Sequence, residues 1–127
     1  MKNSKKKHLD EFNHVNNVQY LFWVQEVAEV HWRKLIENKN ISIKGSWIVR
    51  SHKIEYKNFT NLNDEIIIST YVKNAQGFLS ERVIIMKLKK SKKILVKCLT
   101  KWCFVELNTL KLKKISQKII KLLNNKD

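Results

Sequence analysis

Residues 10–23 read Asp-Glu-Phe-Asn-His-Val-Asn-Asn-Val-Gln-Tyr-Leu-Phe-Trp. Within a few residues the chain passes from a polar connector to an apolar helix. Asn16 or Asn17 suits an N-cap, because an Asn side-chain oxygen accepts from the first free N–H groups of a helix. From there to about Glu37 the spacing predicts a helix. Val18, Leu21, Val24, Ala28, Trp32 and Leu35 recur at intervals of three or four. Glu26, Glu29, Arg33 and Glu37 fall on the other side, with opposite-charge pairs four apart. Phe22, Trp23, Val27 and Val30 widen the apolar face well beyond a surface stripe. Such a helix is expected to be largely buried, wrapped by the rest of the chain.

Working outward, a polar stretch at 38–45 leads into four strand-like segments, near Ser46–Tyr56, Glu65–Lys73, Leu79–Lys89 and Ile94–Leu107. Ile66, Ile67, Ile68, Thr70, Tyr71 and Val72 are strong strand formers. Turn signals separate the segments: Asn58 to Asp64, Asn74 to Gly77, and Lys89 to Lys93. Connections this short favour an antiparallel meander. Residues 113–125 predict a basic amphipathic helix with Ile115, Ile119, Leu122 and Leu123 on one face. A long buried helix followed by antiparallel strands is an α+β layer fold.

The chain has 127 residues, enough for one domain with a real core. Residues 1–8 read as a disordered basic N-terminus, 9–112 as the folded domain, and 113–127 as the C-terminal amphipathic helix and tail. No apolar run has the length of a membrane helix, and the Lys-rich start lacks the apolar stretch of a signal peptide. A cytoplasmic protein is expected.

The formal net charge of +15 points to an anionic partner or ligand. It is diffuse, however: the Arg residues are only Arg33, Arg50 and Arg82, and the rest of the excess is Lys. Lys, Asn and Ile, all abundant here, share A/T-rich codons, so base composition alone would supply much of the charge. Nucleic-acid readers lean on Arg for its bidentate fork, and no nucleic-acid motif is present. Cys98 and Cys103 lie five apart in a strand and point to opposite faces, so two reduced structural thiols are expected. Neither Cys-x-x-Cys nor a His-rich tract offers a metal site.

The quoted stretch resembles the signature of the hotdog-fold thioesterases, the group of hydroxybenzoyl-CoA thioesterase and the acyl-ACP thioesterases. The family pattern is an Asp, three variable residues, His-Val-Asn-Asn, two residues, then Tyr and an aromatic-rich helix. Asp10, His14, Val15, Asn16, Asn17 and Tyr20 match in place. Trp47 to Tyr56 looks like the family's second strand, and Asn63-Asp64-Glu65 like the turn before its third, so the likeness spans roughly 9–110. The resemblance implies a hotdog fold: a long central helix wrapped by a curved antiparallel sheet, here with an extra C-terminal helix. The nine residues before Asp10 lack apolar alternation, so the family's first strand is expected to be short or missing.

It further implies hydrolysis of an acyl thioester of coenzyme A or of acyl carrier protein, by a homodimer or homotetramer, with neither metal nor organic cofactor. Asp10, His14 and Asn17 are the implied catalytic positions, and Asn16, Val18 and Tyr20 the substrate-binding ones. The chemistry is consistent. A helix start presents N–H groups without intrahelical partners, at the positive end of the macrodipole, to a carbonyl oxygen gaining charge. In the family the backbone N–H at the position of Asn17 polarises the thioester carbonyl. Asp10 could attack the carbonyl to give an anhydride or act as general base on water; the sequence leaves both open. His14 fits positioning better than bond-making. Glu26 is a reserve candidate for the acid, because some hotdog enzymes use a helix Glu. His8, His31 and His52 form no recognisable constellation.

Two other readings compete. One is a non-catalytic hotdog protein that binds an acyl chain or an anion. The other is a small nucleic-acid-binding domain, motivated by the charge alone. The apolar helix favours an aliphatic acyl chain over a charged one.

Overall fold

Asn16 is extended, at φ −63 and ψ 138, and its Oδ1 accepts from the Val18 N–H at 2.8 Å. It is therefore the N-cap of helix α1, Asn17–Ile36. Arg33 and Lys34 in the last turn complement the negative end of the helix dipole. The protein is represented by a computed structural model that describes residues 2–3, 16–37, 39, 43–61 and 63–124.

Four long strands follow: β2 Gly45–Tyr56, β3 Glu65–Gln76, β4 Leu79–Leu88 and β5 Ile94–Glu106. Each lies within a few residues of its expected place. Their order is different. The sheet runs β1-β3-β4-β5-β2, antiparallel throughout, where β1 is Lys2–Asn3. Only β3, β4 and β5 form a meander. Strand β2 pairs with β5, as Trp47 opposite Phe104 and Ile54 opposite Cys98. The connection after β2 therefore crosses from one edge of the sheet to the other. Turn residues report where a strand ends, not which neighbour it takes, so they do not distinguish this order from a simple meander.

The reading of residues 1–8 as wholly irregular gives way at Lys2–Asn3, whose backbone pairs with Ile66 and Glu65. A strand this short needs only the open edge of β3, not an apolar pattern of its own. Register shifts fall at Val49/Ser51, Val72/Asn74 and Met86/Lys87. Such bulges bend and twist strands, and they curve this sheet around α1.

The sheet covers one side of α1. Tyr20, Trp23, Val24 and Ala28 are buried. Around the first three gather Ile66, Ile84, Met86, Val96 and Cys98. The opposite side is open, with Val18 72% and Phe22 61% exposed. The helix is thus half buried, not largely buried as expected. One curved sheet can line only about half of a helix's circumference.

The C-terminal helix α2, Gln117–Asn124, begins four residues later than expected. Ser116 stops it from starting earlier: its Oγ accepts from the Ile119 N–H at 3.3 Å, a capping contact. Ile115, Ile119 and Leu123 pack with Val72, Ala75 and Phe104 in a second apolar cluster, against Trp32, Leu35 and Trp47. Cys98 and Cys103 are both free and buried.

Gly45 opens β2 directly under the Phe104 ring. A Cβ there would collide with Phe104 Cζ, and would lie 2.6 Å from Cε2 and 2.8 Å from the Val105 carbonyl oxygen. Phe104 is itself fixed against Trp47, ring centroids 4.9 Å apart. Gly45→Ala is therefore expected to lower stability by about 1–3 kcal/mol, the usual range for overpacking. Chemical denaturation of wild type and variant measures it; an unchanged midpoint would show that Phe104 moves freely.

Candidate active site at the start of the central helix

The crossing connection between β2 and β3 runs beneath the N-terminal end of α1 and anchors it. Thr60, fully buried, hydrogen-bonds through Oγ1 to the Tyr20 hydroxyl. Tyr20 meets Trp23 edge-on and Tyr56 at a tilt, both at 5.9 Å between ring centroids. The Tyr56 hydroxyl donates to the Asn17 carbonyl at 3.4 Å. On the sheet side, the Lys57 N–H donates to the Leu95 carbonyl at 2.8 Å, and Asn58 Nδ2 to the Ile94 carbonyl at 2.7 Å. The helix start is held by side chains and by backbone.

Above this anchor the first turn faces solvent: Asn16, Asn17 and Val18 are all exposed. Asn16 occupies the next two donors, taking the Val18 N–H on Oδ1 and the Gln19 N–H on its carbonyl at 3.0 Å. The Asn17 N–H has no partner among the described residues. No acidic side chain sits in the first turn to neutralise the positive helix end. An exposed donor at a helix N-terminus is suited to an oxygen that carries or develops negative charge.

Of the residues singled out in the sequence, Asn16, Asn17, Val18 and Tyr20 meet here. Tyr20 is 3% exposed and turns into the core instead of outward. Asp10 and His14 lie outside the described residues. Glu26 is half-buried, on the third turn of α1. Among the described residues no group of three His, Cys, Asp or Glu side chains could hold a metal ion. Nor is any helix long and apolar enough to cross a membrane.

A second feature was not read from the sequence. A cleft of about 350 Å³ opens between the middle of α1 and the sheet. Gln25, Ala28, Glu29 and Trp32 form its helix wall. Ser80, Arg82 and Trp102 line it from the sheet, Gly45 to Trp47 from the start of β2, and Leu123 from α2. Arg82 is 4% exposed. Its Nη1 lies 2.7 Å from His31 Nδ1 and donates to Thr70 Oγ1 at 2.9 Å. A guanidinium only donates, so Nδ1 is the acceptor and His31 is neutral with its proton on Nε2. Burial pulls Arg82 down to about 10, which still leaves it charged at neutral pH.

Thr100 is directly opposite Arg82 on β5, and His52 opposite Thr100 on β2. His52 Nδ1 lies 2.8 Å from Thr100 Oγ1. A polar row thus crosses a mostly apolar sheet face. The signal for it was parity: Ser80 and Arg82 alternate in step with Ile84 and Met86, which face the core.

The sequence profile of the thioesterase-like superfamily matches residues 5–123. The chain belongs to that superfamily, and thioester hydrolysis is its class of reaction. No curated protein matches it. Among solved structures, it is similar to the probable thioesterase YbaW of Escherichia coli, at 20% identity and TM-score 0.79, over 96% of this chain and 92% of the other. A 1,4-dihydroxy-2-naphthoyl-CoA thioesterase of Synechocystis gives 11% identity and TM-score 0.76, over 96% and 91%. The gentisyl-coenzyme A thioesterase BH1999 gives 13% and 0.80, over 98% of each chain. At these identities the likeness is one of fold, and it is the hotdog fold expected from the sequence.

The His31 imidazole has a consequence for stability. Burial first, then the neighbouring Arg82 and Lys34 cations, push it below its ordinary value. The unfolded chain, with His near 6.5, then takes up protons that the folded chain refuses. Its contribution to stability is complete above about pH 6.5 and is lost as pH falls through that value towards the lower folded one. His31→Asn is expected to lose less melting temperature than wild type between pH 7.5 and 5.5. Equal losses in thermal melts would place the acid sensitivity elsewhere.

Proposed function

We propose that the chain hydrolyses the thioester of an acyl-coenzyme A at the start of α1. The Asn17 N–H, without a partner among the described residues, carries this reading. The thioester carbonyl oxygen would accept from it and gain stabilisation as negative charge develops. Donors of this kind contribute roughly 2.7–4 kcal/mol each to a transition state. Asn16 caps the two N–H groups after it, and Tyr20 fixes the turn from below through Thr60. Exposed Val18 would lie along the acyl group or the pantetheine arm.

Asp10, placed by the sequence motif, supplies the other half. As a base it takes a proton from water, whose oxygen bonds to the carbonyl carbon. The C–S bond then breaks, and the thiol leaves with that proton and the free acid remains. As a nucleophile it would give an anhydride that water opens to the same products. His14 orients Asp10 or the water. A coenzyme A thioester is favoured over a carrier-protein thioester by the names of two similar structures, both CoA thioesterases. The Lys-rich surface suits the CoA phosphates.

The active form is proposed to be a homo-oligomer. Exposed Val18 and Phe22 on α1 and the long edge strand β2 are surfaces that proteins cover. A cytoplasmic location is part of the same proposal.

The test is Asp10→Asn, which keeps the size and loses the charge. A carboxylate acting as base contributes about 10²–10⁴-fold, so kcat on the best acyl-CoA should fall at least that far. His14→Ala should cost less, and both variants should melt near wild type. An Asp10→Asn protein with more than about a tenth of wild-type kcat would remove Asp10 from the mechanism, since a tenfold change is only about 1.4 kcal/mol of barrier. Glu26 would then be examined next. A non-catalytic acyl- or anion-binding protein would show no turnover for Asp10→Asn to abolish.

A further inference from the structure

The cleft under the middle of α1 holds a positive charge that makes no ion pair among the described residues. Arg82 is 4% exposed, and its hydrogen-bond partners are the neutral His31 and Thr70. No ion pair among the described residues includes it. Leaving a buried charge unpaired is costly, and interiors ordinarily avoid it. Two further buried polar atoms near it lack partners among the described residues: Nε1 of Trp102, which lines the cleft, and Nε2 of His52, on the same row of the sheet. The Arg82 guanidinium and the Trp102 indole N–H can only donate, and an anion is the partner that would satisfy them.

We propose that this cleft is a carboxylate-binding subsite: Arg82 takes the carboxylate, and Trp32, Trp47 and Trp102 flank the apolar body of the same molecule. A guanidinium fork matches a carboxylate with two parallel hydrogen bonds, and among the described residues Nη1 alone of its nitrogens is engaged. The Thr70 and His31 contacts hold the fork in place, so little freedom is lost on binding. Trp32 and Trp47 meet edge-on at 5.6 Å and form a rigid aromatic wall. A volume of about 350 Å³ admits a small acid and excludes a whole coenzyme.

Glu29 is the acidic residue in the lining; it stands exposed on the helix, screened by water, and makes no ion pair with Arg82. Ala28, in the cleft wall, lies eleven residues beyond Asn17, about 16 Å along the helix. The subsite is therefore distinct from the helix start and stands whether or not Asp10 proves essential.

The three tryptophans provide the readout. The full-length protein is titrated with hexanoate and with benzoate, and in parallel with hexan-1-ol and benzyl alcohol, following tryptophan fluorescence. Each acid is expected to give a saturable change and to bind about tenfold tighter than its matched alcohol. Whichever acid binds tighter identifies the body as aliphatic or aromatic, and either supports the subsite. Arg82→Met, its fold checked by circular dichroism, should lose about tenfold for the acid and change little for the alcohol. If that variant does not fold, the acid–alcohol comparison in wild type decides alone. Equal affinity for acid and alcohol, no saturable change with either acid, or full acid affinity in a folded Arg82→Met protein would each overturn the proposal.

Discussion

Helix α1 can be stable only with its Tyr20, Trp23, Val24 and Ala28 stripe buried, and the Tyr20–Thr60 hydrogen bond sets where that burial begins. Thr60 belongs to the segment that must cross the sheet because β2 pairs with β5 instead of β3. The crossing brings Thr60 under the first turn and Tyr56 beside the Asn17 carbonyl. Both hydroxyl contacts would be lost in a simple meander. The exposed Asn17 N–H is thus a product of topology as much as of local sequence. Nothing in the helix alone would fix its direction.

The interior has two apolar clusters with a polar row between them. One lies under the first half of α1, and the other joins its second half to α2. Arg82, Thr100 and His52 share one level of the sheet between β4 and β2. A purely structural core would fill such a level with Val or Ile, because apolar residues of similar volume are often as stable or more so. The row occurs where the cleft reaches the sheet. The charge and the space that would hold its partner therefore coincide.

Much of this was legible in the sequence. A cap at Asn16 or Asn17, the extent of α1 and the four long strands follow from local rules: cap chemistry, three-to-four periodicity and turn residues. The strand order was not legible, because it depends on contacts between β2 and β5, some fifty residues apart. Val18 and Phe22 counted as apolar helix positions, yet which arc of an apolar helix is covered depends on the sheet's width. The helix start proposed as the site is marked in the sequence by its motif. The cleft was not, since Arg82, Trp102 and Trp32 come from three elements and resemble a surface charge and two core aromatics when read singly.

The central claim is that the first turn of α1 polarises a thioester carbonyl. Infrared difference spectroscopy on the Asp10→Asn protein tests it most directly, using an acyl-CoA that wild type hydrolyses, labelled with ¹³C at the carbonyl. A carbonyl held by the Asn17 N–H at the positive helix end should absorb at lower wavenumber than the same thioester in water, because its C=O bond is weakened before any chemistry occurs. A bound thioester whose carbonyl band stays at the solution position would contradict the claim.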